Sequence, residues 1–185
     1  LEQRNALLKR AAFTNDINTL DVWDEQLSKY GAYLSVRRAK FVKSLDEICS
    51  RIHNELTGGK EKLKVKYQAS IYTDDENDME QKLIEHFAKH RDNDLRRAIT
   101  TSGPHRDDIN MSVNDIDVRA FGSQGQQRTC ALSMKLAEVD IMHKITGEYP
   151  LLLLDDVFSE LDNSRRTWLL NYIGNVQTFI TCVDI

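Results

Sequence analysis

Residues 151–156 read Leu-Leu-Leu-Leu-Asp-Asp, and Ser159-Glu160-Leu161-Asp162 follow three residues later. Four leucines ending in two carboxylates predict a buried parallel strand with acid at its C-terminal end. Open α/β sheets bind ligands at that end. A carboxylate there can hold the water shell of a divalent cation that accompanies nucleotide phosphates. Adjacent strand residues point to opposite sides, so Asp155 and Asp156 cannot share one job.

Working backward, Ser123-Gln124-Gly125-Gln126-Gln127 opens a long helical pattern over residues 124–146, which Gly147 ends. Small residues at a helix start let backbone N–H groups approach an anion, and the helix dipole adds about half a positive charge. The same residues also make an ordinary hydroxyl cap with a polar first turn. Working forward, residues 164–173 predict a helix and 177–182 a strand. Strand, helix, strand at this spacing is a βαβ unit with a parallel sheet. Ahead of this region, residues 109–113 and 116–120 predict short strands around the turn Asn114-Asp115. Thr101-Ser102-Gly103-Pro104-His105-Arg106-Asp107-Asp108 predicts a loop, by its Gly-Pro step. His105 and Arg106 can face a nucleotide, DNA, or simply Asp107 and Asp108.

The first hundred residues are mainly helical. Residues 1–12 read as the end of a helix, and Asn15 and Asp16 suit the cap of the next. From Leu20 to Leu56 the apolar positions Leu27, Tyr30, Leu34, Phe41, Leu45, Ile48, Ile52 and Leu56 fall at helical steps. They predict one long helix of about 50 Å with a narrow apolar stripe, stopped by Gly58-Gly59. Residues 63–72 alternate as a half-buried strand. Asp74-Asp75-Glu76-Asn77-Asp78 is an acidic turn without calcium-loop spacing. Helices follow over 79–91 and 94–99.

A net charge of −4 does not advertise nucleic-acid binding, so any DNA contact needs a local basic patch. The candidates are Arg37-Arg38-Lys40-Lys43 on the long helix, then Lys60, Lys62, Lys64 and Lys66 near the strand, then Arg96-Arg97; solvated faces explain such runs about two times in three, and DNA phosphate binding without base specificity the rest. No run reaches the roughly 18 apolar residues of a membrane span. The three cysteines are far apart, without CxxC spacing, which fits a reducing cytoplasm. The chain starts in helical pattern without Met and stops on a strand, so a fragment of a longer protein is expected.

The pair Ser123–Gln127 and Leu151–Asp156, 32 residues apart from Ser123 to Asp155, resembles the signature and Walker B motifs of ABC-type ATPases. Ser159-Glu160-Leu161-Asp162 resembles their D-loop. The wording SQGQQRT, then LLLLDDVFSELD, with GPHRDD upstream, is similar to the RecF family of bacterial recombination-repair ATPases. The resemblance covers residues 100–182; residues 1–99 fit that family's arm domain in position and character. It implies an α/β fold: a helical arm domain (1–99) plus part of an ABC-type ATPase head with a parallel sheet (100–185). By resemblance Asp155 is the Walker B acid near Mg²⁺. Asp156 stands where such enzymes usually have Glu to polarise attacking water, one methylene short, which implies slow turnover. Ser123, Gly125 and Gln126 would meet ATP phosphate held by the other subunit, and Asp162 would lie at the dimer interface. Phe121-Gly122 before the Ser, and Gln124 where Gly is common, depart from the transporter form. No glycine here belongs to a phosphate loop ending in Gly-Lys-Ser/Thr, so the chain alone is expected to be inactive.

For the whole protein the resemblance implies an ATP-dependent homodimer that binds single-stranded DNA and ss–ds junctions. It implies work with RecR and RecO to load RecA, in DNA repair, replication and the SOS response, in the cytoplasm. Two other readings remain at this point. One is an SMC-like ATPase head, for which the arm is too short to make an extended coiled coil. The other is a non-catalytic helical protein-binding module whose acidic strand end is structural.

Overall fold

The computed structural model describes residues 1–14 and 19–182, without the side chains at 12–14 and 160. The expected caps Asn15 and Asp16 lie outside the described residues. The chain is mixed α/β and divides into two compact units, residues 1–41 with 67–109, and residues 42–66 with 110 onward. Among the described residues no helix is long and apolar enough to cross a membrane.

The first unit contains α1 (Glu2–Thr14), the first part of α2 (Leu20–Leu56) and α3 (Glu76–Arg97). Its core joins Ala32 and Val36 of α2 to Met79, Leu83 and Phe87 of α3. The long helix has the expected bounds, but its first half faces the other way. Tyr30, Leu34 and Phe41 of the expected stripe are exposed. The buried side is made of Ser28, Gly31, Ala32, Ser35 and Val36. Small residues allow close approach there: a Cβ on Gly31 would stand 3.1 Å from Leu83 and 3.2 Å from Pro104.

The helices expected over 79–91 and 94–99 are one continuous helix, α3. Asp94, the expected start of the second helix, is fully buried and accepts from Arg4 Nη1 at 2.7 Å and from Thr101 N at 2.8 Å. Arg4 is also fully buried; its Nε donates to Asp24 at 2.6 Å and its guanidinium lies 5.1 Å over the Phe87 ring. The acidic turn before α3 acts as its start: Asp75 accepts from Asp78 N at 2.8 Å.

The second unit holds the remainder of α2 and two sheets. α2 stops at Gly58 and Gly59, both left-handed, with Gly59 N donating to Asn54 O at 2.8 Å. The first sheet has the order β1 (Leu63–Gln68), β2 (Asp108–Val113), β3 (Ile116–Asp117). β2 and β3 are antiparallel, pairing Val113 with Ile116 across Asn114 and Asp115, both at positive φ. That is the backbone a two-residue hairpin needs. β1 ends at Gln68 rather than residue 72. The second hairpin strand is short because Asp117 accepts from Ala120 N at 2.9 Å and starts a turn of helix, α4 (Val118–Phe121).

α5 (Gln124–Thr146) follows with the expected bounds and buries Cys130, Leu132, Leu136, Ala137 and Val139. Then come β4 (Leu152–Asp155), a 3-10 turn, α6 (Asn163–Tyr172) and β5 (Thr178–Thr181). β4 and β5 pair in parallel, Leu152 against Thr178 through Asp155 against Thr181. The expected βαβ unit is therefore present. The leucine strand is covered on one face only: Leu152 and Leu154 are buried, whereas Leu151 and Leu153 are exposed.

Candidate functional site

The carboxylates leave the C-terminal end of β4 in two different conformations. Asp155 is the last strand residue and is exposed. Its Oδ1 accepts from Thr181 Oγ1 on β5. Asp156 turns the chain with φ 49°, in the left-handed region that Asp tolerates better than most residues. Its N–H is held by Thr181 O at 3.1 Å and Thr181 Oγ1 at 3.0 Å, and its carbonyl accepts from Ser159 Oγ at 2.9 Å. One threonine thus fixes both acids.

The turn after them is tied from α6. Arg166 Nε donates to Phe158 O at 2.9 Å and Leu161 O at 2.8 Å. Asp162 caps α6, accepting from Arg165 N at 2.9 Å. That backbone N–H, with the nearby Arg165 charge, holds the Asp162 carboxyl below the usual carboxylate range.

The start of α5 is a complete capping box. Ser123 Oγ accepts from Gln126 N at 3.2 Å, and Ser123 N donates to Gln126 Oε1 at 3.1 Å. The helix leaves the N–H groups of Gln124 and Gly125 without a helical acceptor. A Cβ added at Gly125 would meet only Ser123 Oγ, at 4.0 Å, so an anion can reach these amides. Gly122 is required for another reason: a Cβ there would stand 2.6 Å from Val118 O. Both ends of the Gln126 amide are engaged inside the chain, Nε2 donating to Glu61 Oε1 at 3.1 Å. Glu61 Oε2 lies 3.1 Å from His53 Nε2, and His53 Nδ1 lies 3.1 Å from Ser133 Oγ. A buried histidine of α2 thereby braces α5.

The structure links two of the motifs directly. Arg165, one turn into α6 from Asp162, donates to Thr129 Oγ1 at 3.1 Å; that hydroxyl donates to Gly125 O at 2.7 Å. Asp155 joins α5 further along, across a cavity of about 340 Å³ lined by Arg128, Lys135, Leu153, Leu154 and Val157. Ser123 does not line it. Sequence reasoning missed Thr181, Arg165, Thr129, Glu61 and His53. The one available signal was Gln126 three residues after Ser123, the spacing of a capping box.

In the first unit the Gly103–Asp108 loop is a clasp. His105 Nε2 lies 3.1 Å from Thr100 O, and Arg38 donates to Pro104 O at 2.8 Å. Asp107 accepts from Tyr67 OH at 2.5 Å and Ser70 N at 2.9 Å. Gly103 sits at φ 129° with Phe87 3.0 Å from where a Cβ would be. Arg106 is exposed on this rigid turn.

Among the described residues no three His, Cys, Asp or Glu side chains converge as a metal cage. Asp155 offers one exposed carboxylate at a strand end. That fits Mg²⁺, which keeps its waters and takes one or two carboxylates plus substrate phosphates. The open amides at Gln124 and Gly125 likewise fit a phosphate oxygen.

No protein-family model matches the chain. It is 48% identical over its whole length to the DNA replication and repair protein RecF of Agathobacter rectalis, covering 49% of that protein. It is 46% identical to RecF of Lactobacillus johnsonii and 47% to RecF of Clostridium botulinum, covering 51% and 50% of them. The chain thus spans about half the length of the curated relatives it matches. The structure of the recombination mediator protein RecF-ATP in the RecFOR pathway superposes with a TM-score of 0.88 at 36% identity, over all of this chain and 51% of that one. A second, RecF-ATPrS, gives 0.87 at 36% identity. From end to end, in sequence and in fold, the chain belongs to the RecF family.

Proposed function

We propose that this chain supplies the signature and Walker B half of a RecF-type ATPase head, with its helical arm. Residues 1–99 serve as the arm and 100–185 as the head portion. The observation that carries the reading is one compact unit holding a parallel strand that ends in Asp155-Asp156 and an α5 start with open amides. α2 runs through both compact units, so the functional boundary need not follow them.

In the whole protein, Ser123 Oγ–H and the Gly125 N–H meet the γ-phosphate of ATP held by the other subunit. Gln126 is a positioning residue, since its amide locks the Ser123 backbone. Asp155 holds the water shell of Mg²⁺, which neutralises phosphate charge when bound. Asp156 orients a water and accepts its proton as the water oxygen bonds to phosphorus and the bond to the ADP oxygen breaks. Asp162 lies at the dimer interface. ATP then acts as a dimerisation switch. The assembled dimer binds DNA at single strands and ss–ds junctions and, with RecO and RecR, assists RecA loading in the cytoplasm during repair and replication.

The test uses the full-length protein and Ser123→Arg, with Ser123→Ala as a control for the lost cap. A lost cap costs about 1 kcal/mol, so both variants fold. Light scattering across protein concentration is expected to detect ATP-induced dimers for the parent and none for Ser123→Arg, whose monomer still binds ATP. A Ser123→Arg protein that dimerises like the parent overturns the trans role and leaves Ser123 a helix cap.

A further inference from the structure

The outward face of α2 carries chemistry that the ATPase reading does not use. Tyr30 is 70% exposed, and Tyr33 and Phe41 are exposed on the same side. With Lys29, Arg37 and Lys40, also exposed, they fill an arc of about 120° on the helix, at 3.6 residues per turn. From Tyr30 to Phe41 the face runs about 16 Å. Exposed aromatics on a charged helix are not needed for folding, since the opposite side of α2 supplies the core through Ala32 and Val36.

The charge on this stretch is of one sign. Between Glu25 and Asp46 there are five Lys and Arg residues and no carboxylate, in a chain whose net charge is −4. The Arg37 guanidinium carbon lies 3.8 Å from the centre of the Tyr33 ring, a cation–π contact that sets charge and ring side by side. Arg38 is bonded to Pro104 O, so the rigid turn bearing exposed Arg106 is pinned beside the same helix. A second copy of this face would meet it cation to cation, which opposes self-association. An apolar protein partner would not require the cations. Flat rings beside cations, without carboxylates, suit a polyanion whose flat groups are free to stack.

We propose that the α2 face from Lys29 to Phe41 binds single-stranded nucleic acid. Tyr30, Tyr33 and Phe41 stack unpaired bases, while Lys29, Arg37 and Lys40 contact the phosphates. Recognition is without base preference, because every base offers a ring face and the cations of the arc are engaged by phosphates. The inference rests on the DNA-binding part of the reading above and assigns it a surface.

The experiment is fluorescence anisotropy of a labelled oligo-dT strand and a duplex of equal length with the full-length protein, over a salt series. Two double variants are compared, Tyr30→Ala with Tyr33→Ala, and Arg37→Gln with Lys40→Gln. All four side chains are exposed, and thermal melts check the fold. The aromatic pair is expected to weaken single-strand binding about tenfold or more at unchanged salt slope. Tyr30→Phe with Tyr33→Phe restores it, and duplex binding is much less affected. The charge pair is expected to lower the salt slope by about 1.4, two single-strand phosphates. Parental single-strand affinity in the aromatic pair, or equal losses on strand and duplex, overturns the proposal and leaves a protein-binding face. ATP-induced dimerisation is read in the same samples. If it is absent in the parent, the ATPase reading fails separately; if it persists in every variant, the DNA result judges the α2 face alone.

Discussion

His53 is a polar residue in a fully buried position, and its environment pulls its protonation two ways. Burial is the larger influence and lowers its pKa from 6.5, against the Glu61 carboxylate, which raises it. Burial likewise leads in lowering His86 and His105 from 6.5. For each, the unfolded chain binds protons more readily than the folded one. Stability therefore falls as pH drops below 6.5 toward the lowered folded values, and none of this contribution changes above 6.5. Asp162, Asp115 and Asp117 behave in the same sense from a lower start: their stabilisation is lost as pH falls below 3.8. The first acid loss thus belongs to the histidines. Urea midpoints are expected to be lower at pH 5.5 than at pH 7.5, and the drop to shrink in His53→Gln, whose amide can still bridge Glu61 and Ser133. Identical midpoints at the two pH values would contradict this assignment. Cys49 and Cys130 stay out of this range, because burial pushes both thiols up to about 12.

α2, α3 and α5 end where the backbone turns left-handed, at Gly58, Ala98 and Gly147, and one of those ends uses the wrong residue for comfort. α3 stops at Ala98, φ 53° and ψ 30°, with its N–H returning to the last carbonyls of the helix. A Cβ in that conformation costs about 1–2 kcal/mol, which glycine avoids. Ala98→Gly is expected to stabilise the protein by about 1 kcal/mol, seen as a higher urea midpoint at unchanged slope; a lower midpoint would show that Ala98 contributes packing that outweighs the strain. Local signals of this kind were what the amino-acid sequence made readable. The bounds of α5 follow from Ser123, Gln126 and Gly147, and the end of α2 from Gly58-Gly59. The same holds for the Asn114-Asp115 hairpin and the acids at the end of β4. What was not readable depends on partners distant in sequence. Asp94 looks like the start of a separate helix until buried Arg4, ninety residues away, makes it an anchor within α3. The stripe Tyr30, Leu34, Phe41 looks like a core face because large apolar side chains at helical spacing ordinarily mark one. The real contact is made by Gly31 and Ala32, since α3 and Pro104 approach too closely for anything larger. At the candidate site, Asp155, Asp156 and the α5 cap were legible as motifs. Thr181 and Arg165, which hold them, carry no motif.

The second unit presents a parallel sheet of two strands, and parallel sheets are ordinarily covered on both faces. Here Leu152 and Leu154 point into the unit, while Leu153 is 68% exposed and Leu151 and Phe179 are exposed beside it. The matched RecF structures are about twice as long as this chain. The reading of the chain as half of an ATPase head makes this open face the seat of the other half. Burying one leucine side chain is worth about 1.5–3 kcal/mol, so the face left open represents several kcal/mol of unmet burial. The isolated 185-residue chain is accordingly expected to bind an apolar dye such as ANS and to self-associate as its concentration rises. Leu153→Glu is expected to reduce both, because a carboxylate in the middle of the patch is solvated rather than covered. In the full-length protein the same substitution has the opposite consequence. It forces a charge into a buried interface and is expected to lower the melting temperature, whereas a surface residue would change stability by about 0.5 kcal/mol or less. Measuring dye binding on the chain and melting on the full-length protein with one variant therefore tests the face from both sides. Full-length Leu153→Glu melting like its parent would mean that the face stays open in the whole molecule, and the half-head reading of β4 and β5 would then be wrong.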